Sequence, residues 1–255
     1  MLPTPDTSHV PFERVYEPAE DSYLLLDTIS DPSETAFLTS RFGGTGAPAP
    51  LVVEVGTGSG VVIGFIAAQA QNLFGTRTVI TSGVDLNGFA CRATNGTVEL
   101  ARRENPDTSS HAWLGATMGD LTAPLRDGAV DVLVFNPPYV PSSELPAQSS
   151  DALLHGDERK TTFDEDSYLL SLSYAGGKDG METTDRLIDA LPAVLSPRGC
   201  AYILLCAQNK PLEVKSRIEA FGNGWKAVTV GESGKKAGWE KLQIIRVWKD
   251  RQPAP

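Results

Sequence analysis

No hydrophobic stretch in this 255-residue sequence approaches the roughly 20 residues that a bilayer-spanning helix needs. The opening residues, MLPTPDTSHV, lack the basic region and the apolar stretch of a secretory signal peptide. Basic residues are also scarce, because 22 lysines and arginines stand against 32 acidic residues and give a net charge of −10. We therefore expect no membrane anchor, and direct nucleic-acid binding is disfavoured unless a basic partner supplies the charge.

Cysteine and histidine are sparse as well. Cys91, Cys200 and Cys206 form no C-x-x-C pair, and such an odd, scattered set is typical of reduced thiols in a cytosolic or nuclear protein. The three histidines are equally scattered, so we expect no metal site within this chain. The 41% hydrophobic and 21% charged residues exclude a disordered or fibrous chain. The length suits one α/β domain, or at most two small ones.

Short apolar, β-branched runs alternate with helical patterns along most of the chain. We predict strands at residues 51–55, 78–84, 111–114, 130–135, 201–206, 226–230 and 242–248. We predict helices at residues 20–29, 61–74, 88–104, 183–195 and 212–221. This alternation is typical of a parallel sheet covered on both faces. The last two strands are joined by too few residues for a crossover helix, so they should pair antiparallel.

A glycine-rich turn, GTGSG at residues 56–60, directly follows the first predicted strand. Glycines allow the backbone to turn tightly and to approach a ligand at the carboxyl end of a strand. However, Val61 stands where the third glycine of the dinucleotide-binding pattern would be. The turn alone is therefore as compatible with a tight strand-to-helix connection as with a ligand site.

Two acidic residues follow later strands at the same predicted edge of the sheet. Asp85 comes at the tip of the second strand, where it can accept hydrogen bonds from both hydroxyls of a ribose. It could instead cap the next helix, but Asn87 could supply that cap, so the two interpretations are compatible. Asp120, followed by Leu121, could hold an adenine ring, although Asp120 could also be a solvated loop residue.

The most informative motif is Asn136-Pro137-Pro138-Tyr139, directly after the fourth predicted strand. Prolines can simply end a strand, but this does not account for an aromatic residue at the ligand-binding edge. The Asn136 side chain and the Pro137 carbonyl can hold both hydrogens of a planar amino group, and Tyr139 can stack on it. Catalysis would then consist mostly of placing the nitrogen in line with a methyl carbon, without a general base before attack.

EVGTGSG, the strand-tip aspartate, GDL at residues 119–121 and NPPY together resemble class I S-adenosylmethionine-dependent methyltransferases that act on a planar amino nitrogen. VYEPAEDSYLLLDTI before the first strand and LSPRG at residues 195–199 narrow the resemblance to the eukaryotic and archaeal release-factor glutamine methyltransferases of the HemK type. The resemblance covers residues 15–248. It implies a doubly wound, seven-stranded α/β sheet, mostly parallel, with a C-terminal antiparallel strand.

The resemblance also implies a domain organisation. Residues 1–50 would form an arm and a helix that close over the cofactor, and residues 51–255 would form the methyltransferase domain, with a single globular domain overall. Bacterial and organellar relatives carry an additional N-terminal helical domain. We expect none here, because too few residues precede the first strand.

Residue roles follow from the same resemblance. The catalytic set, which would orient a glutamine side-chain amide, is Asn136, Pro137, Pro138 and Tyr139. The set that would bind S-adenosylmethionine is Tyr16, Ser22, Glu54, Gly56, Thr57, Gly58, Asp85, Leu86, Asp120, Leu121 and Asn136. Within it, the glycine turn and Glu54 would line the methionine part, Asp85 the ribose, and the Asp120–Leu121 pair the adenine. The product would be N5-methylglutamine in the Gly-Gly-Gln tip of the translation termination factor.

Members of this family from the cytosol work with a small zinc-binding activator protein that keeps the catalytic subunit in solution. The usual strand order leaves the third strand at the edge of the sheet, and an apolar edge strand favours pairing with another chain. We therefore expect the activator to bind near Trp113 and Leu114, unless Trp113 packs beneath a neighbouring helix. We expect the protein in the cytoplasm, and also in the nucleus.

The segment at residues 141–166 is longer and more acidic than the resemblance leads us to expect. It could be a lid over the substrate or a disordered insertion. Its acidic side chains could attract a basic substrate surface or lie in a solvated loop; they are Asp157, Glu158, Asp164, Glu165 and Asp166.

Four alternative functions remain open at this point. An adenine-N6 methyltransferase would use the same NPPY geometry, but the charge of −10 disfavours it. A histone lysine is another acceptor, although NPPY offers no evident base to remove the proton of an ammonium group. A nicotinamide-dependent oxidoreductase would need the third glycine. A non-catalytic binding protein would have no reason to keep Asn136, Asp85 and the glycines.

Overall fold

The computed structural model of the protein describes residues 2–44, 46–146, 161–234 and 241–250. Over these residues one sheet contains β1 (Leu51–Val55), β2 (Ile80–Asp85), β3 (Ala112–Met118), β4 (Val130–Phe135), β5 (Leu195–Cys206), β6 (Trp225–Glu232) and β7 (Leu242–Lys249). The strand order is β3-β2-β1-β4-β5-β7-β6. The first five strands are parallel, and β7 is antiparallel to both β5 and β6. The predicted seven-stranded, mostly parallel sheet with an antiparallel C-terminal strand is therefore confirmed.

The α-helices of the described residues are α1 (Glu20–Ile29), α2 (Pro32–Phe42), α3 (Val61–Ala68), α4 (Ala70–Phe74), α5 (Gly88–Glu104), α6 (Phe163–Tyr174), α7 (Glu182–Val194) and α8 (Pro211–Glu219). Side chains on a strand point alternately to its two faces. On β4, Val132 and Val134 join a core with α1 to α5, whereas Leu133 and Phe135 join a second core with α7 and α8. The sheet is thus covered on both faces. None of the described helices combines the length and the apolar character needed to cross a bilayer.

The predicted helix at residues 61–74 is wrong in one respect, because Gln69 separates it into α3 and α4. Gln69 has φ −109° and ψ 20°, which are not helical values. The N–H of Gln71 donates to the carbonyl of Thr108 at 2.9 Å instead of continuing the helix. This contact attaches α4 to the segment that leads into β3.

Two helices were missed by the predictions. Helix α2 begins at Pro32 and is capped by the Asp31 side chain, which accepts from the N–H of Ser33 at 2.8 Å. Helix α6 begins with a capping box between Thr162 and Glu165. Both signals are visible in the sequence, as an aspartate before a proline and as a T-x-x-E spacing.

Helix α6 also corrects the prediction for residues 141–166, because residues 163–166 form its first turn. Asp166 lies 3.3 Å from Arg14 and accepts from the Thr161 hydroxyl at 2.6 Å, so it joins the N-terminal arm to α6. Glu165 completes the capping box. Asp157 and Glu158 lie outside the described residues, as do all of residues 147–160, so the prediction of a lid at residues 141–166 stays a prediction.

The LSPRG segment belongs to β5, which begins six residues before the predicted strand. Asp131 on β4 accepts from the Ser196 hydroxyl at 2.6 Å and from the Arg198 guanidinium at 2.9 Å. It also accepts from the N–H of Leu51 at 3.0 Å. The motif therefore joins β1, β4 and β5 at the end of the sheet opposite the carboxyl ends of the parallel strands.

Candidate active site

A cavity of about 170 Å³ opens at the carboxyl ends of β1, β2 and β4. The predicted cofactor residues that line it from the N-terminal side and the glycine turn are Tyr16, Ser22, Glu54, Gly56, Thr57 and Gly58. Those that line it after β2, β3 and β4 are Asp85, Leu86, Asp120, Leu121 and Asn136. Of the predicted catalytic residues, Asn136 and Pro138 line the cavity, while Pro137 and Tyr139 lie behind it. One site therefore contains residues that lie more than a hundred positions apart in the sequence.

All three glycines of the turn have left-handed backbone angles, and the last of them is also needed for close packing. Gly56, Gly58 and Gly60 all have left-handed φ values, of 68°, 51° and 79°. A Cβ on Gly60 would lie 2.6 Å from the Cα of Thr94, so this glycine lets α5 pack against the turn. Close packing is the task of the third glycine in the dinucleotide-binding pattern, and here it falls one residue before Val61.

Helix α5 fixes the turn through two threonines that sequence reasoning missed. The Thr94 hydroxyl donates to the Thr57 hydroxyl at 2.8 Å, and the Thr97 hydroxyl donates to the Ser59 carbonyl at 2.7 Å. Both threonines are fully buried. Their spacing of three residues places them on one face of the helix, which is the only signal that the sequence offers.

Asp85 holds the turn from the other side. Its carboxylate accepts from the N–H of Gly58 at 2.9 Å and from the N–H of Asn87 at 2.8 Å. Asn87 caps α5, because its side chain accepts from the N–H of Phe89 at 2.9 Å. Asp85 is thus left at the cavity and is not the helix cap.

Glu54 adds a second carboxylate at the floor of the cavity. It is only 2% exposed, and its Oε2 accepts from the N–H of Ile63 at 2.9 Å. Burial raises the pKa of Glu54 well above its ordinary value, and the nearby charge of Asp85 raises it further. Burial also raises the pKa of Asp85, against the hydrogen bonds that lower it. A cationic ligand would stabilise both carboxylates in their ionised form.

The third acidic residue of the cavity, Asp120, has a partner that the sequence did not indicate. Its Oδ2 accepts from the Arg186 guanidinium on α7 at 2.5 Å, and both residues line the cavity. The next residue, Leu121, has φ 50°, an uncommon value for a residue other than glycine. Arg186 therefore fixes the orientation of Asp120 at the rim, where Asp120 was predicted to bind an adenine.

The N-terminal arm lines the cavity with Tyr16, which is held by Asp21 of α1, a residue that carried no predicted role. Asp21 is 3% exposed and accepts from the Tyr16 hydroxyl at 2.9 Å. The hydroxyl of Tyr139 lies 3.4 Å from the same oxygen. Arg14 also lines the cavity, and its carbonyl accepts from the Asn87 side chain at 2.8 Å. The arm is thus joined both to the NPPY segment and to the loop after β2.

Asn136 stands out at the end of β4. Its Oδ1 is buried and accepts no hydrogen bond from any of the described residues. A buried carbonyl oxygen without a donor is costly, so such an atom at a cavity indicates a ligand that donates. Leu169, Leu172 and Ser173 of α6 form the opposite wall. The ring of Tyr139 packs beside the core of α1 to α5. Its predicted stacking on the substrate amide stays a prediction.

The strand order and the position of the cavity are those of a class I S-adenosylmethionine-dependent methyltransferase. The structure of a human methyltransferase 10 domain containing protein shows the same fold, with a TM-score of 0.50 and 14% identity over 94% of this chain and 86% of that one. No family model matches the sequence.

Two full-length relatives narrow the class. Mouse methyltransferase HEMK2 is 31% identical over 96% of both chains. The eRF1 methyltransferase catalytic subunit mtq2 of Schizosaccharomyces pombe is 29% identical over 98% of this chain and 96% of its own length. The chain belongs to the HemK-type glutamine methyltransferases. It is a methyltransferase, and the alternative of a nicotinamide-dependent oxidoreductase is wrong.

Proposed function

We propose that this protein transfers the methyl group of S-adenosylmethionine to the side-chain amide nitrogen of the glutamine in the Gly-Gly-Gln motif of the translation release factor. The relative from Schizosaccharomyces pombe is named as a methyltransferase of eRF1. The observation that carries the proposal is the buried, unpaired Oδ1 of Asn136 at the cavity. A glutamine side chain ends in an amide whose two N–H groups can supply the missing donor.

The glycine turn fits S-adenosylmethionine. A Cβ on Gly58 would project to 3.8 Å from Tyr16, so a side chain at this position would occupy the space between the turn and the N-terminal arm. The carboxylates of Glu54 and Asp85 line the same space, where they suit a cationic molecule with a ribose. When bound, S-adenosylmethionine supplies a methyl group on a positively charged sulfur. We assign the binding of S-adenosylmethionine to the whole set of cofactor residues predicted from the sequence, including Leu121 and Asn136.

Asn136 orients the acceptor and stabilises its charge. Accepting a hydrogen bond from the amide nitrogen turns the nitrogen towards the methyl donor and withdraws its electron pair from conjugation. As positive charge develops on the nitrogen, the fixed oxygen of Asn136 stabilises it. The nitrogen loses its proton after it becomes cationic, so no general base has to act first. We assign the second N–H of the substrate amide to the Pro137 carbonyl, which would accept a hydrogen bond from it.

A heterodimer with a small zinc-binding activator is the second part of the proposal. Strand β3 lies at one edge of the sheet, with Leu114 64% exposed and Met118 38% exposed. The Trp113 side chain packs beneath α5 and donates to Asn95 at 3.0 Å. Another strand would therefore pair with the backbone of β3 and contact its outward-facing side chains. The activator is assigned to this edge.

The test is transfer of labelled methyl from S-adenosylmethionine to recombinant release factor in the presence of the activator. Asn136→Ala should lower kcat about 100-fold, because it removes the acceptor that meets the developing charge. Asn105→Ala is the matched control, since the Asn105 side chain donates to Ala101 at 2.8 Å at the far end of α5. A release factor with its tip glutamine replaced should take no label. Label that survives this replacement would contradict the proposal, and histone tails and nucleic acid would become the next acceptors to test.

A further inference from the structure

Asn209 follows β5 and is 1% exposed, yet it lies outside the wall of the cavity. Its side-chain Nδ2 lies 3.1 Å from the carbonyl of Tyr139, 2.9 Å from that of Asp179 and 3.3 Å from that of Gly180. Its Oδ1 accepts from the N–H of Cys206 at 2.8 Å. One buried amide therefore joins the end of β5, the turn before α7 and the last residue of NPPY.

The turn before α7 is shaped to receive the NPPY backbone. A Cβ on Gly176 would overlap the carbonyl of Pro138, and a Cβ on Gly180 would overlap the carbonyl of Tyr139. Val140 extends the contact, because its N–H donates to Tyr174 at 3.0 Å and its carbonyl accepts from Gly176 at 2.8 Å. The backbone after Asn136 is thus enclosed on its side away from the cavity.

We propose that Asn209 is a positioning residue for methyl transfer, because it fixes the Tyr139 carbonyl and thereby the position of Asn136 against the substrate amide. This inference rests on the proposed role of Asn136. Displacement of a reacting group by about 1 Å can cost two orders of magnitude in rate. Loss of the Asn209 donor should therefore impair transfer far more than cofactor binding, because Asn136 is one of eleven residues assigned to the cofactor and Asn209 does not line the cavity.

Asn209→Asp tests this with little change in size, because aspartate keeps the acceptor for Cys206 and removes the donors. We expect kcat for the release factor to fall at least tenfold, while the Kd of S-adenosylhomocysteine stays within twofold of the wild type. Asn105→Asp is the matched control, since it also removes a donor to a backbone carbonyl, and it should keep kcat. A kcat of Asn209→Asp within twofold of the wild type would overturn the proposal. So would a parallel loss of S-adenosylhomocysteine binding, which would indicate a merely structural role.

A second pair of variants tests the Tyr139 carbonyl through Gly180, which packs against it. Gly180→Ala would press on Tyr139 and would also place alanine at φ 69°. Gly222→Ala carries the same backbone strain at φ 71°, with nothing within 4 Å of the new Cβ. We expect a larger loss in Tm for Gly180→Ala, because its new Cβ meets the Tyr139 carbonyl, and a loss of kcat only for Gly180→Ala. Equal kcat in the two variants would overturn the proposal even if Asn209→Asp failed to fold.

Hydrogen exchange gives a readout that does not depend on the substrate. The amides of Tyr139 and Val140 should exchange at least tenfold faster in Asn209→Asp than in the wild type, both with S-adenosylhomocysteine bound, and Asn105→Asp should leave them unchanged. Unchanged exchange in Asn209→Asp would overturn the proposal. If the wild type transfers no methyl to the release factor, the proposed function fails, and the exchange rates still decide the role of Asn209.

Discussion

The hydroxyl of Tyr16 donates to the carboxylate of Asp21 at 2.9 Å, and this bond connects the N-terminal arm to α1 at the wall of the cavity. The arm has few other side-chain bonds to α1 among the described residues. The buried carboxylate of Asp21 thus helps to place Tyr16 beside Gly58, together with the bond between the Asn87 side chain and the Arg14 carbonyl. The predicted closure of the arm over the cofactor can therefore be tested at Tyr16.

Tyr16→Phe should weaken cofactor binding. Loss of one hydrogen bond to a buried charged group costs about 1.5 to 3 kcal/mol, so the Kd of S-adenosylhomocysteine should rise about tenfold or more in calorimetric titration. Tyr202→Phe is the matched control, because the Tyr202 hydroxyl donates to the buried Glu34 at 2.8 Å, away from the cavity. It should lower the free energy of unfolding and leave the Kd unchanged. An unchanged Kd in Tyr16→Phe would show that the arm does not close over the cofactor.

Glu54→Gln should change the pH dependence of stability in the absence of cofactor. The folded state holds the Glu54 proton above the ordinary pKa, so ionisation of the unfolded state lowers wild-type stability as pH rises from about 4.5 towards the folded pKa. The slope is at most about 1.4 kcal/mol per pH unit for one proton. Glutamine removes this loss and can still accept from Ile63.

Urea unfolding at pH 5 and pH 8 measures the difference. As the pH rises from 5 to 8, the free energy of unfolding of Glu54→Gln should increase relative to that of the wild type. Glu99→Gln, at an exposed position on α5, should follow the wild type. A constant difference between Glu54→Gln and wild type at both pH values would contradict the raised pKa. Cofactor affinity should fall in Glu54→Gln, because the carboxylate that suits a cation has gone.

Gly60→Ala should destabilise the protein by several times the ordinary cost of a left-handed alanine. The new Cβ would lie 2.6 Å from the backbone of Thr94, in addition to the strain of φ 79°. Gly128→Ala separates the two effects, because it has φ 66° and nothing within 4 Å of its Cβ. We expect a loss of about 1 kcal/mol in the control and clearly more in Gly60→Ala, measured by urea unfolding. Equal losses would show that α5 does not need close contact with the turn.

Asp131→Ala should lower the free energy of unfolding by about 3 to 5 kcal/mol, because it leaves the Arg198 guanidinium without its carboxylate. The Kd of S-adenosylhomocysteine should stay the same, since Asp131 lies at the end of β4 opposite Asn136. Asp127→Ala, on the exposed turn before β4, should alter neither quantity by much. A change in cofactor affinity would contradict the purely structural role that we assign to LSPRG.

Local sequence signals were sufficient for the strands of the sheet and for the motifs at their ends. Short apolar runs predicted each of the seven strands, and the glycine turn and NPPY lie where two of those strands end. The signals for α2 and α6 were present but were passed over, because Asp31 and Thr162 stand in polar segments that resemble loops.

The contacts that hold the site in place could not be predicted in the same way. The pairs Asp120–Arg186 and Tyr139–Asn209 join residues 66 and 70 positions apart. Their partners are determined by the strand order and by where each loop crosses the edge of the sheet. No local pattern at Arg186 or Asn209 distinguishes them from ordinary surface and helix-start residues.

Leu114→Asp should break the proposed complex with the activator, because it places a charge on the exposed face of β3, where the second chain would pair. Leu114 is a sharper test than Trp113, whose side chain bonds to Asn95 and packs on the core, so that its loss would also disturb the sheet. Leu212→Asp is the matched control, since Leu212 is 75% exposed on α8. Co-purification with the activator should be lost only for Leu114→Asp, with the Tm of both isolated variants unchanged. Retention of the activator by Leu114→Asp would move the interface away from this edge.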